Sequence, residues 1–366
     1  MQNSPNKRYF YGLDELRATL MLIGVFWHAV SIVSPFGAFV YDSKIHESFA
    51  LYALIYPEHI FRMEAFFLVS GFLSRMVVMR KSKALFFEAR VKRVLIPLIF
   101  GCFGVNFLLQ LFGSQFMNYS WERFDMWRWV MHGWFLITLF MCALIDLLLP
   151  KDIFMRVGMW SLVLAFVIGS VGYTQINYWN GQSWHFFGPV AGNLFNFFIL
   201  NTIQFFPFYF LGSWLYCQQN CLDSLGKKAL FWALMIGLFA GVLEYVHSLK
   251  LVDVFGKYPW SALLYRTNHM IGAGGIAVFL FLLFYRTKRK GKKIVNYLMT
   301  SAIVIYLVHH PLVIILGWAL DYPALSNLVY YGLVVIMTLA LSYLAYEGIR
   351  RVKWLSFAFG LKNKDA

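Results

Sequence analysis

Apolar runs close to 20 residues long recur along this 366-residue chain, set apart by short polar connections. Twenty helical residues rise about 30 Å, the thickness of a bilayer's hydrocarbon layer. In hydrocarbon every backbone N–H and C=O must bond internally, so runs of this length fold as helices. Charged residues make up 13% of the chain, about half the share of a soluble domain. The pattern predicts an all-α, polytopic integral membrane helix bundle of about ten spans. These lie near 15–35, 59–79, 94–116, 131–149, 154–172, 193–216, 228–248, 268–286, 296–319 and 325–347. No connection is long enough for a separate soluble domain, so residues 1–366 read as one transmembrane domain.

The net charge of +15 does not point to nucleic acid, because Lys and Arg crowd into alternate connections. One basic group runs from Arg75 and Arg80 to Arg90, Lys92 and Arg93, another from Arg286 to Lys293, and a third from Arg350 to Lys364. With these on one side, only Lys44, Arg123, Arg128, Lys250, Lys257 and Arg266 fall on the other. Such a bias predicts both termini in the cytoplasm of a bacterial inner-membrane protein, its basic face in contact with anionic lipid. The first span is too long for a cleavable signal and contains His28. Cys102, Cys142, Cys217 and Cys221 lie in or beside spans without the ligand pattern of a zinc site, and no metal is expected. The connection from Asn177 to His185 is rich in Trp and Tyr, which serve equally as interfacial belt or as a sugar-stacking surface. No inverted repeat of the transporter kind is visible.

Ionisable residues inside spans are costly, and therefore functional suspects. Arg17 and His28 are eleven residues apart on the first span, about three helical turns, so they share a face with ~16 Å between them. The predicted direction puts Arg17 at the cytoplasmic edge and His28 beyond midplane. His309-His310-Pro311 reaches a similar depth on span 9, and Arg62 and Glu64 do so just after His59 on span 2. His28, Arg62, Glu64 and His309 can therefore converge on one layer. At the other face, Arg90 and Arg93 stand three apart before Pro97, a spacing that presents neighbouring guanidinium forks to phosphate. Ordinary topogenic charge gives the same pattern. A neutral imidazole in the outer half suits a general base, and equally a buried histidine bonded to a neighbouring helix.

The chain resembles the membrane acyltransferase-3 family, whose first span carries Arg or Lys, ten residues, then His, as Arg17 and His28 do. The family's Arg-x-x-Arg pair is matched by Arg90 and Arg93. Within the family it resembles the periplasmic-glucan succinyltransferases, through Leu13-Asp14-Glu15-Leu16-Arg17-Ala18, Phe61-Arg62-Met63, Phe66 to Phe72, Trp134-Phe135-Leu136 and Tyr306 to Leu312. The resemblance implies transfer of an acyl group, succinyl first, from acyl-CoA in the cytoplasm to hydroxyls of a periplasmic glucan. It implies His28 as catalytic base and Arg17, Arg90 and Arg93 as acyl-CoA contacts. Glu64 departs from the family, which more often has an apolar residue or proline there. Arg62, Glu64, His309, His310 and Trp134 are expected around the acyl and acceptor groups, with Arg62 meeting a succinyl carboxylate and His309 donating to the oxyanion. Acyl-CoA is a co-substrate rather than a resident cofactor, and the glucan-synthesis machinery is a possible partner. The alternatives are O-acetylation of O-antigen or another envelope polysaccharide, a glycan or lipid exporter using the histidines for proton coupling, and a structural subunit.

Overall fold

The computed structural model describes residues 9–37, 41–117, 129–256, 260–287 and 293–361, with backbone alone for 177–191. Its long helical elements are α1 (Tyr11–Ser31), α2 (Phe49–Arg80), α3 (Lys83–Phe116), α4 (Trp134–Leu148), α5 (Met159–Phe195), α6 (Asn201–Cys217), α7 (Lys227–Ser248), α8 (Ser261–Tyr285), α9 (Lys293–Ala319) and α10 (Asn327–Ile349). Among the described residues there is no strand. Local chemistry sets several starts: Ser48, Ser82 and Ser326 each cap a helix by accepting the N–H three residues on, from Leu51, Leu85 and Val329.

Among the described residues eight segments are long and apolar enough to cross a membrane: Lys83–Phe116, Met131–Leu148, Met159–Ile176, Gly192–Cys217, and α7 to α10. The other two expected spans fall on α1 and α2, of 21 and 32 residues, which carry several ionisable groups. Large apolar side chains point outward, Trp160 and Leu148 being 83% and 81% exposed, as lipid-facing residues do. The chain termini, Arg123, Arg128, Lys257 and residues 288–292 lie outside the described residues.

At the centre is α2, packed on α6, α8 and α1. Two glycines bring backbones together: a Cβ on Gly71 would sit 2.0 Å from the Tyr209 carbonyl, and one on Gly212 would sit 1.9 Å from that of Leu68. Without a hydrophobic drive between helices in lipid, this close packing of small residues holds α2 to α6. Helix α1 fits between α2, α9 and α8, burying Leu13, Leu16 and Leu20 among Phe67, Phe72 and Phe281. Beyond α1, Tyr41 and Ser43 donate to the two carboxylate oxygens of Asp321 at 2.5 and 2.6 Å, tying the segment before α2 to the α9–α10 connection.

Three expectations change. The stretch 177–185 is helical backbone within α5 rather than an extended connection; no proline interrupts Met159 to Gly188, and its polar residues tolerate a helix. Arg75 is no connection charge: it is fully buried, paired with Asp146 on α4, and its guanidinium lies 4.1 Å over the Phe154 ring. Arg266 is likewise buried on α8, 4.2 Å over Tyr173. Distance from a span end cannot reveal a partner on another helix, and a partner is what keeps such a charge inside.

Candidate active site

Near its C-terminal end α1 presents His28 to three other imidazoles. Ring centroids stand 4.6 Å from His310, 5.1 Å from His309 and 6.2 Å from His132. His132 itself is 4.9 Å from His310 and 5.2 Å from His309. Helix α9 supplies His309 and His310; Pro311 follows directly, and with no N–H it removes the helical bond to the Leu307 carbonyl. His132 was not among the residues expected here. It sits in the tight turn Met131–Gly133 before α4, where Met131 takes a positive φ of 45°. The one sequence signal was its place directly ahead of Gly133 and the Trp134-Phe135-Leu136 run.

Hydrogen bonds assign the protons. His132 Nε2 lies 2.7 Å from the Tyr306 carbonyl, and the Tyr306 hydroxyl donates to the His132 carbonyl, so the turn and α9 are clamped twice. His309 Nδ1 meets the carbonyls of Ile305 and Tyr306 at 2.9 and 2.7 Å. A carbonyl accepts only, so His132 Nε2 and His309 Nδ1 carry hydrogens, and the other nitrogen of each neutral ring is a lone pair. Those atoms, His132 Nδ1 and His309 Nε2, are buried without a partner, as is His310 Nδ1. The expected oxyanion donation by His309 therefore does not fit a neutral ring: its N–H is held by the backbone. His28 is partly exposed, and its ring has no hydrogen bond among the described residues. Nor does any group of three His, Cys, Asp or Glu among them have the arrangement to hold a metal ion.

Arg62 on α2 lies across α1 one turn below His28. A Cβ on Gly24 would come 1.8 Å from Arg62 Nη1, so glycine leaves the space the guanidinium occupies. Arg62 is 8% exposed, its Nε is buried without a partner, and it is within electrostatic reach of His28 and His309. Its guanidinium has no hydrogen bond among the described residues, and the opposite charge within its electrostatic reach is the Glu58 carboxylate one turn back on α2. Glu64, two residues on, does not join this layer. It accepts from His269 Nε2 at 2.9 Å, while His269 Nδ1 donates to Glu244 at 2.9 Å, so the three link α2, α8 and α7. Glu244 and His269 were also unforeseen; Glu244 follows the apolar run of α7, and His269 ends the polar stretch Arg266-Thr267-Asn268-His269. Trp134 is half-buried and stacks on Phe205 at 5.5 Å, and the adjacent Phe135 packs edge-on to Tyr306 at 5.3 Å.

The other end of α1 holds the arginines. Arg17 donates to Asp14 at 3.0 Å, and Asp14 also accepts from Tyr9 at 2.5 Å. Arg90 and Arg93 are not the parallel pair of forks that regular spacing predicts, because a π-helical stretch, Val91–Leu95, begins directly after Arg90 and includes Arg93. An extra residue in that turn rotates one arginine from the other. Arg90 turns inward, donating to Ser74 at 2.7 Å with its guanidinium 4.7 Å over Phe86, and feels the charge of Arg17. Arg93 is exposed, and neighbouring Lys92 is held by Glu88 at 2.5 Å.

The structure is thus a polytopic helical bundle with imidazoles massed near one end of α1 and arginines toward the other. A model of the acyltransferase-3 family, described as "Acyltransferase domain", matches residues 10–347. The chain belongs to that family and is an acyl-transferring enzyme. It is 27% identical to the Glucans biosynthesis protein C of Escherichia coli O6:K15:H31 (strain 536 / UPEC) over 395 residues, covering 99% of this chain and 97% of the relative. The protein of the same name from Escherichia coli (strain K12 / DH10B) matches at the same identity and coverage. No solved structure matches the chain.

Proposed function

We propose that this protein moves a succinyl group from cytoplasmic succinyl-CoA to hydroxyls of a periplasmic glucan, across the inner membrane, with His28 as general base. In this reading α1 and α2 complete ten spans of a single domain, both termini are cytoplasmic, and Arg17, Arg90 and Arg93 receive the CoA phosphates. The glucan oxygen attacks the thioester carbon while His28 takes its proton. The C–O bond forms, the C–S bond breaks, and the proton passes from His28 to the departing thiolate. General-base help of this kind is typically worth ~10²–10⁴ in rate. Arg62 meets the free carboxylate of the succinyl group; Trp134 and His310 stand where acyl and acceptor groups gather. The name the relatives carry supports a glucan over other envelope polysaccharides as acceptor.

One observation carries the reading: His28, partly exposed and with no ring hydrogen bond among the described residues, faces three histidines one turn from the buried Arg62, on the helix that also carries Arg17. Mass spectrometry of periplasmic glucans from cells with and without the protein identifies acyl group and acceptor together. Cells making His28→Ala, inserted at normal level, should yield unmodified glucan. A variant that still acylates would remove His28 from the chemistry, and a mass shift other than succinyl would replace the donor.

A further inference from the structure

Pro57 lies inside α2 and has no N–H, so the Ala53 carbonyl one turn before it loses its helical bond. Helix α7 replaces that bond: the Tyr245 hydroxyl donates to Ala53 at 3.1 Å. The adjacent Glu244 accepts from His269 Nδ1 at 2.9 Å, and His269 Nε2 donates on to Glu64, seven residues beyond the proline. A second branch returns to α2. The Tyr265 hydroxyl lies 3.4 Å from both Glu244 Oε1 and Ser248 Oγ, and the Tyr56 hydroxyl, directly before Pro57, meets Ser248 and Tyr265. The network thus leaves α2 at Glu64, crosses α8 and α7, and rejoins α2 at Tyr56 and Ala53. Its charges balance: Arg266 is within electrostatic reach of both carboxylates, and with His269 donating from both ring nitrogens two cations face two anions, all four buried.

Helical period sets this tie back to back with Arg62. Ala53, Tyr56, Ile60 and Glu64 recur every three or four residues, so they share the face of α2 turned to α7 and α8, where Ile60 packs with Tyr56 and Leu249. Arg62 is two residues from Glu64, about 200° round the helix, and faces Gly24 of α1. The stretch that carries Arg62 is therefore held from behind at both ends, across the proline that would otherwise let it swing.

We infer that Glu64, His269, Glu244 and Tyr245 are positioning residues for acyl transfer: they splint α2 across Pro57 and set the angle at which Arg62 meets the acyl group. The inference rests on the reading above, in which Arg62 contacts that group. Buried ion groups add little net stability over apolar packing; what this one contributes is a fixed geometry. A turn of α2 by about 20° would carry an atom ~6 Å from its axis by ~2 Å. Gly24 leaves no slack for such a shift toward α1, since a Cβ there would already lie 1.8 Å from Arg62 Nη1.

The test is a mutant cycle in full-length protein, read as thiol release from succinyl-CoA in the presence of unmodified periplasmic glucan. Glu64→Leu breaks the tie, whereas Glu64→Gln keeps an oxygen for His269. Glu64→Leu should lower kcat/KM by ~10- to 10²-fold, the cost of an ångström-scale misplacement, and Glu64→Gln should stay within ~3-fold of wild type. In the Arg62→Ala background Glu64→Leu should cost nothing further, because both act through one contact; a loss of folded protein would lower both backgrounds alike. Tyr245→Phe, a single hydroxyl on another helix, should lower kcat/KM by ~3- to 10-fold, the rate equivalent of one hydrogen bond, and be equally silent once Arg62 is gone. If Glu64→Leu fails to insert, Tyr245→Phe carries the same cycle. Wild-type kcat/KM in Glu64→Leu, the same loss in Glu64→Gln, or equal losses in both backgrounds would overturn the assignment. Where Arg62→Ala turns over too slowly for a cycle, the ratio of kcat/KM for succinyl-CoA to that for acetyl-CoA decides: Glu64→Leu should lower it ~10-fold, and an unchanged ratio would overturn the splint. Arg62→Ala at the wild-type rate would remove Arg62 from the reaction and the inference with it; a slow Arg62→Ala with an additive Glu64→Leu would remove the splint alone.

Discussion

Alanine at Gly24 probes Arg62 without altering any charge. The added Cβ would lie 1.8 Å from Nη1 and 3.0 Å from Cζ, so the guanidinium must retreat by ~1.5–2 Å to reach an ordinary carbon contact. Those atoms end a flexible side chain, and alanine favours a helix over glycine by ~1 kcal/mol, so α1 should persist and the arginine should move. A misplacement of that size can cost ~10²-fold when the group positions a substrate. Full removal, in Arg62→Ala, forfeits a charge-assisted bond of about 1.5–3 kcal/mol, ~10- to 150-fold in rate. The assay is kcat with succinyl and acetyl donors for wild type, both single variants and the double variant. If Arg62 reads the succinyl carboxylate, both variants lose succinyl transfer far more than acetyl transfer. Gly24→Ala should then cost nothing further once Arg62 is gone, because the two substitutions act through one contact. Equal losses for both donors would move Arg62 from the carboxylate to the oxyanion. An undiminished Gly24→Ala effect in the Arg62→Ala background would refute the coupling altogether.

Tyr306→Phe removes one of the two bonds that clamp α9 to the His132 turn; a loss of ~1–3 kcal/mol in stability with a lower kcat should follow, read by thermal unfolding and turnover together. Arg75→Met alone strands a buried Asp146 and should destabilise by ~3–5 kcal/mol, whereas Arg75→Met with Asp146→Leu should recover most of that in the same unfolding measurement. Because Arg93 is exposed and Arg90 is bonded inside, Arg93→Ala should raise the KM for acyl-CoA at unchanged thermal stability, while Arg90→Ala should raise that KM and lower the thermal stability as well. Unaltered KM in both would remove them from donor binding.

What could be read from the chain alone followed from repetition along one helix. Apolar run length marks the segments that cross, and eleven-residue spacing puts Arg17 and His28 on one face, because both depend only on helical period. Convergence between helices was legible where residues shared a depth: His28, Arg62 and His309 were expected in one layer, and they meet there. Glu64 shared that depth yet faces the other way, toward His269, since depth says nothing about which side of α2 a residue takes. His132 was passed over because a histidine at the start of a span looks interfacial until the Tyr306 clamp draws it inward. The pair Arg90 and Arg93 was misread for a related reason: three-residue spacing assumes a regular helix, and the stretch that holds Arg93 is π-helical.

The clamp also fixes what His132 and His309 can offer to a proton carried by His28. The carbonyls of Tyr306 and Ile305 hold the N–H of His132 and His309, so each offers only a lone pair toward the cluster. Neither gains a bond by releasing its proton, and neither can donate to a neutral His28. If His28 takes the proton of the acceptor hydroxyl as proposed, its second N–H becomes a donor beside two rings, His132 and His309, that can only accept. Protonation thus creates a charge-assisted bond that the resting cluster lacks, and such bonds contribute about 1.5–3 kcal/mol. If His309 is that acceptor, His309→Leu should lower kcat by ~10- to 150-fold at unchanged KM, by the same energy expressed as rate. His309→Gln, whose amide oxygen can accept in its place, should recover most of the loss. Equal defects in the two variants would show that His309 packs against His28 without receiving its proton's bond.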